Sequence, residues 1–292
     1  MEKRFEHNGF GKRLGSMLKV DFRRLFTSRI FYIIVGACLV MPILILVMTT
    51  MMDGMETTDP QTGEVSVIEG FDNTWQIIGT VVSESDMNAM SSMGAMDGAD
   101  SGTDVAASSD AGAGMDLMSM CNINLLFFGI AVLVCLFVAE DFRSGYAKNL
   151  FTVRAKKTDY VASKTIAGFV GGALMLLCFF VGALAGGAIA GLPFDMTGFG
   201  IAELVMCMLS KLLLIAVFVP IYLAVSVAAK QKAWLSILGS MGIGMLLFMM
   251  IPMLTPLNAT VMNVGLCLAG GAMFSIGLGA VSNVILKKTS LV

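Results

Sequence analysis

The residue types that carry out catalysis are sparse in this chain, and their spacing excludes most of the chemistry they could support. The one histidine, His7, lies in a polar tail, so no Ser/His/Asp relay can be built around it. Six cysteines, Cys38, Cys121, Cys135, Cys178, Cys207 and Cys267, are scattered through or beside apolar runs with no CxxC pair. That pattern suits neither a zinc, haem or iron–sulfur site nor a disulfide framework, and reads as small buried hydrophobes. Gly9-Phe10-Gly11-Lys12 lacks the GxxxxGK[ST] spacing that wraps backbone N–H groups around phosphates. The chain is therefore not expected to bind ATP or another cofactor itself, and no catalytic or metal-ligating set is assigned.

Two ionisable groups stand out because they fall in or beside an apolar run. Lys211 lies several residues inside one, and Glu203 at its outer end. An ammonium at membrane depth is a functional candidate by default, but it can also snorkel to the headgroups or pair structurally, and these last two readings are favoured. One isolated acid does not make a proton relay. Pro220 in the same run is expected to kink it and free a backbone carbonyl that a neighbouring helix must satisfy.

The elements that position these residues follow from composition. Of 292 residues, 57% are hydrophobic and 14% charged, and the mean hydropathy is +0.83. Soluble domains are about 25% charged, so this balance describes a membrane protein. Six segments meet the length of about 20 apolar residues that a spanning helix needs: 30–52, 118–139, 165–190, 204–229, 233–253 and 261–286. The expected fold is all-α, with six spans. Pro193 and Gly198 mark the turn between the third and fourth, and Pro252 and Pro256 the break between the fifth and sixth. Gly168/Gly172, Gly182/Gly186/Ala190 and Gly187/Gly191 follow the small-xxx-small pattern of packed membrane helices, with Gly239, Gly242 and Gly244 less regular.

Charge supplies the orientation. Residues 1–29 hold eight Lys/Arg, 140–164 hold six, and Lys230, Lys232, Lys287 and Lys288 complete eighteen of the nineteen. The segment 53–117 holds thirteen Asp/Glu and no cation. By the positive-inside rule both termini are cytoplasmic and the acidic loop is outside. The net charge of −2 suggests no nucleic-acid partner.

Two cytoplasmic pieces carry more than orientation. In residues 12–29, Leu14, Met17, Leu18, Phe22, Leu25 and Phe26 recur at helical spacing among Lys12, Arg13, Lys19, Arg23 and Arg24. This predicts an amphipathic helix lying in the inner headgroup layer just before the first span. Residues 140–164 read EDFRSGYAKNLFTVRAKKTDYVASK, with apolar anchors Phe142, Leu150, Phe151 and Tyr160. Physics alone leaves open whether this is a short helix docking into a soluble partner or an ordinary solvated loop.

Together, the amphipathic helix, the six spans and the string Glu140-Asp141-Phe142-x-x-Gly145-x-x-Lys148-Asn149, followed by a basic turn and Tyr160-x-x-x-Lys164, resemble the permease subunit of ABC-type-2 exporters. The resemblance is nearest to permeases of bacteriocin-immunity and peptide-antibiotic resistance transporters. It implies that this loop is the coupling helix, with Glu140, Asp141, Phe142, Arg143, Gly145, Lys148 and Asn149 meeting an ABC ATPase subunit that holds ATP and Mg. It implies also a second permease, as homodimer or similar chain, in a bacterial cytoplasmic membrane. The proline often found before the basic turn is replaced here by the run Arg154-Ala155-Lys156-Lys157.

The outer loop is the least patterned part. Its second half is close to low complexity and expected to be mobile, while Val65 to Val82, with Trp75, Ile77 and Ile78, is expected to be ordered. Met87, Met90, Met93 and Met96 recur every three residues; thioethers select copper(I), but 25 methionines throughout the chain favour Met as adaptable filler. The rival to a permease of hydrophobic or amphipathic cargo is a membrane sensor or assembly protein, working without an ATPase, whose acidic loop binds a partner.

Overall fold

The structure is a computed structural model that describes residues 10–58, 65–67, 70–82, 122–152, 157–229, 232–248 and 250–288. His7, Cys121, the methionine series 87–96, Arg154 to Lys156 and Lys230 lie outside the described residues. The chain is an all-α membrane protein. In order come α1 (Phe10–Thr27), α2 (Arg29–Met52), a short antiparallel pair β1 (Glu56–Thr58) and β2 (Val65–Val67), and a 3-10 turn over Thr74–Ile77. A second 3-10 turn (Ile123–Leu125) leads into α3 (Leu126–Arg143), then α4 (Tyr146–Thr152), α5 (Lys157–Ala190), α6 (Ile201–Ala229), α7 (Ala233–Phe248), α8 (Ile251–Leu254) and α9 (Val261–Lys288).

Among the described residues five helices are long and apolar enough to cross a membrane: α2, α3 with its 3-10 turn, α5, α6 and α9. The sixth expected span differs. Residues 233–253 do not form one helix: α7 has 16 residues, about 24 Å of rise, short of a bilayer core of about 30 Å. Pro252 sits in the first turn of α8. Its ring blocks the preceding turn's hydrogen bond and starts a helix instead of continuing one. A break therefore falls before Pro252, in addition to the one after it, where the chain leaves the helix between Leu254 and Val261. At the other extreme α5 has 34 residues, about 50 Å of rise, so its first two turns project beyond the bilayer span expected from residue 165.

Small residues bring the helices together where apolar contrast with lipid cannot. Gly168 and Gly172 face α6, where an added Cβ would lie 2.8 Å from Val219 and 2.7 Å from Ile215. Gly182 and Gly186, further along α5, face α2: a Cβ on Gly186 would lie 2.8 Å from the Ile43 Cα, and one on Gly182 would run into the Leu39 carbonyl. One helix thus receives a neighbour on each of two glycine stripes. α9 packs along α6. Pro220 cannot donate to the carbonyl of Ala216, and that oxygen accepts a hydrogen bond from Ser275 Oγ of α9 at 3.0 Å. The freed carbonyl has the partner that the sequence requires of it. α7 turns Ser236, Ser240, Gly244 and Phe248 inward. Cys135 Sγ of α3 meets Ser240 Oγ at 3.1 Å, and Phe128 stacks on Phe248.

The bundle has two chemically distinct ends. Arg13, Arg24, Lys148, Lys157 and Lys164 gather at one, called here the basic end; Asp53, Asp72, Asp195 and Glu203 gather at the other, the acidic end. At the acidic end residues 70–82 of the long loop close over the helices. Trp75 packs edge-on against Phe194 and Phe199, Thr74 N–H donates to Pro193 O at 3.1 Å, and Thr74 fills a notch over Gly187. Ile77 and Ile78 are fully buried, so the loop's apolar residues anchor it as expected.

Candidate functional site

The basic end concentrates the chain's buried charge. α1 carries Met17, Asp21 and Leu25 at i, i+4, i+8, which places the helix's one carboxylate on its apolar stripe. α5 projects Asp159, Tyr160, Ser163 and Lys164 from the two turns that extend past the bilayer span. α3 ends with Asp141 turned inward. These three elements meet around Lys164, which is 2% exposed. Its ammonium forms ion pairs with Asp21 Oδ1 at 2.9 Å and Asp141 Oδ2 at 2.7 Å, and lies 3.6 Å from the centre of the Phe137 ring.

Each carboxylate has further donors. Asp141 accepts from Arg24 Nη1 at 2.5 Å and from Tyr160 Oη at 2.9 Å; Asp21 accepts from Ser163 Oγ at 2.5 Å. Two anions, one lysine and one arginine make a cluster of zero net charge. Removing such charges from water is costly, and only dense mutual pairing offsets it. A second pair, Arg13 Nε to Asp159 Oδ2 at 3.0 Å, ties the start of α1 to the same part of α5.

The short helix α4 rests on this cluster. Gly145, at φ +72°, makes the left-handed turn after α3 that any side chain would strain. Ala147 is buried, Phe151 packs edge-on to Tyr160, and the Arg24 guanidinium lies 4.3 Å over the Tyr146 ring. Burial, with the Asp21 and Asp141 carboxylates nearby, raises the Tyr146 phenol above its ordinary range, so the ring stays neutral beneath the arginine. Lys157 Nζ donates to the Leu286 carbonyl at 2.6 Å, capping the end of α9.

The sequence-predicted coupling residues divide by face. Asp141 and Phe142 are buried and belong to the cluster and the core, not to a docking surface. Glu140, Arg143, Lys148 and Asn149 are exposed, together with Ser144 and Thr152, and Gly145 is half-buried. The reason is helical geometry: each residue turns by about 100°, so a contiguous motif is shared between two faces. The interfacial helix divides similarly. Leu25 is buried and Phe22 packs on the core, Leu14 and Leu18 are half-buried, and Phe26 is exposed. Beside its apolar residues, α1 is held to α5 by Arg13 and Asp21 and to α3 by Arg24 through Asp141. Sequence reasoning missed Asp21. The signal was present, as a lone acid among five cations and at helical spacing from Met17 and Leu25.

At the acidic end Lys211 is fully buried and does not snorkel. Its ammonium donates to Asn124 Oδ1 at 3.1 Å and Thr255 Oγ1 at 2.8 Å, the structural pairing among the expected alternatives. Glu203 reaches back to the Gly200 N–H at the start of α6, an N-terminal cap.

In comparison with known proteins, the family model described as ABC-2 family transporter protein matches residues 95–251, just over half of the chain. The match takes in α3, α4, α5, α6 and α7, and so the whole α3–α4–α5 connection. No curated protein and no solved structure matches the chain. The chain belongs to the ABC-2 transporter family.

Proposed function

We propose, with that membership as the premise, that this chain is the membrane subunit of an ATP-driven exporter, and that α4 with the turn before it is the surface that receives force from a separate ATPase. The observation that carries this reading is the contrast between the two faces of α4. Its inner face rests on a buried, charge-balanced cluster that joins α1, α3 and α5. Its outer face presents Arg143, Ser144, Lys148, Asn149 and Thr152 to solvent. Polar groups on a rigid backing suit a partner that pushes on the bundle.

In this reading the basic end is cytoplasmic and the acidic end outside, as the positive-inside rule demands. ATP and Mg are held by the ATPase subunit. Movement of the docked ATPase displaces α4, and with it α1 and α5 as one body. A second permease subunit, identical or similar, covers part of the apolar surface that α2 and α9 leave exposed, where Ile33 is 70% and Ile276 75% accessible. Hydrophobic or amphipathic cargo, the kind that includes membrane-active peptides and drugs, suits a bundle with few polar groups at membrane depth.

The test is capture of partners from native membranes in mild detergent, comparing the wild-type chain with Arg143→Glu/Lys148→Glu. Co-purification of a soluble ATPase that the double variant loses is the expected result. A chain that never retains an ATPase, with crosslinking as well as without, would turn the reading toward a stand-alone sensor.

A further inference from the structure

We propose that Lys211, Asn124 and Thr255 form an anion subsite, occluded in this conformation, which takes the acidic headgroup of an amphipathic cargo. The inference rests on the transport reading and narrows it to a substrate class. It starts from a difference between the two fully enclosed lysines. Lys164 is shared by two carboxylates. Lys211, ten residues into α6, is held among the described residues by the neutral oxygens of Asn124 and Thr255 and by no carboxylate.

An ammonium kept from water without a counter-ion is among the costliest groups a bilayer protein can contain. A purely structural clasp between α6 and the Thr255 turn needs only a hydroxyl or an amide. A positive charge adds one capacity to such a clasp, which is to bind an anion. The surroundings agree in sign. Cys207 already donates its thiol to the Thr255 carbonyl at 3.4 Å. A cationic headgroup would meet a like charge here; a phosphate or carboxylate would meet an ammonium.

The same turn explains the occlusion. Thr255 Oγ1 donates to Ile251 O at 2.9 Å as well as accepting from Lys211. Two residues on, Leu257 N–H donates to Thr80 O at 2.9 Å. Asn258 then holds Val82 by two hydrogen bonds, accepting from its N–H at 3.1 Å and donating to its carbonyl at 2.8 Å. Residues 80–82 of the acidic-end loop therefore cover the turn whose withdrawal would open Lys211. Exchange of Asn124 and Thr255 for an anionic headgroup leaves neutral groups behind and strands no buried carboxylate.

The experiment uses the full chain in nanodiscs and a fluorescent single-chain phosphate amphiphile, lysophosphatidic acid labelled on its tail. Competitors are unlabelled lysophosphatidic acid, lysophosphatidylcholine of the same chain length, and inorganic phosphate. Lysophosphatidic acid should compete at least about tenfold better than lysophosphatidylcholine, as a charge-assisted contact predicts. Inorganic phosphate should not compete. Lys211→Met should abolish the preference between the two lipids and Lys211→Arg should retain it. If Lys211→Met fails to fold, Lys211→Gln, which can keep a donor toward Asn124 and Thr255 without the charge, should still abolish the preference. Equal competition by the two lipids, a preference that survives Lys211→Met, or displacement by inorganic phosphate alone overturns the proposal. Binding is read without the ATPase, and ATPase capture is read separately, so an anion preference without an ATPase sinks only the transport reading, and the reverse result sinks only this one.

Discussion

Asp141 and Lys164 close the α3–α4–α5 connection on itself, with the Lys164 ammonium 2.7 Å from Asp141 Oδ2 and both side chains out of solvent. Asp141 is also where α1 joins, through Arg24. The pair therefore sets where α4 stands relative to the membrane, although neither residue reaches the surface that a partner would touch.

Neutralising one member leaves the other charged and buried. Asp141→Asn or Lys164→Met should lower stability by about 3–5 kcal/mol, the usual cost of breaking a buried pair from one side. The triple change Asp21→Asn/Asp141→Asn/Lys164→Met removes two anions and one cation but leaves Arg24, which is partly exposed and can be hydrated. It should cost less than the sum of the single changes. Thermal unfolding in one detergent, followed by tryptophan fluorescence, measures Asp21→Asn, Asp141→Asn, Lys164→Met and the triple variant; strict additivity would show that the charges do not act as a cluster.

Charge reversal on the exposed face should behave in the opposite way. Arg143→Glu and Lys148→Glu touch no buried partner among the described residues and should move the unfolding midpoint little, by about 0.5 kcal/mol or less, as surface changes do. Their effect should appear in ATPase retention. A stability loss comparable to that of Asp141→Asn would mean that this face is packed and not free.

Pro220 and Ser275 should be energetically coupled. Ser275→Ala leaves the Ala216 carbonyl without its donor, at about 0.6–1 kcal/mol for a hydrogen bond between membrane helices. In a Pro220→Ala background the new backbone N–H can claim that carbonyl, and the same serine change should cost close to nothing. A double-mutant cycle on unfolding free energy reads the coupling directly, and equal costs in the two backgrounds would refute it.

The glycines should separate by what faces them. Gly186→Val drives side-chain atoms into the α2 backbone near Ile43 and should disrupt the bundle. Gly277 in α9 has nothing within 4 Å of an added Cβ; Gly277→Ala should be neutral or stabilising by up to about 1 kcal/mol through helix propensity. Size-exclusion profiles and melting midpoints distinguish the two, and equal loss from both would place Gly277 in an interface with another chain.

Much of this was legible in the chain because it depends on local or one-dimensional properties. Apolar run length marks a membrane helix wherever it occurs, so α2, α3, α5, α6 and α9 could be read directly. Pro220 requires an external donor for Ala216 whatever the fold, and small residues four apart mark close helix contacts. The break between Leu254 and Val261 was marked by Pro256, whereas the additional α7–α8 break was not legible because hydropathy does not change ahead of Pro252 and backbone hydrogen bonding does.

What the sequence determined by itself was a membrane helix bundle with one basic and one acidic end, and a motif-bearing connection at the basic end. Only the tertiary structure decided that Asp141 and Phe142 face inward while Arg143 and Lys148 face out. It decided also that Asp21 is a structural anion, and that Lys211 is paired with neutral groups instead of reaching water. The physical reason is the same in each case. Hydropathy and spacing follow from neighbours along the chain, whereas a charge's role depends on which partner stands within about 3 Å, and here those partners arrive from other helices.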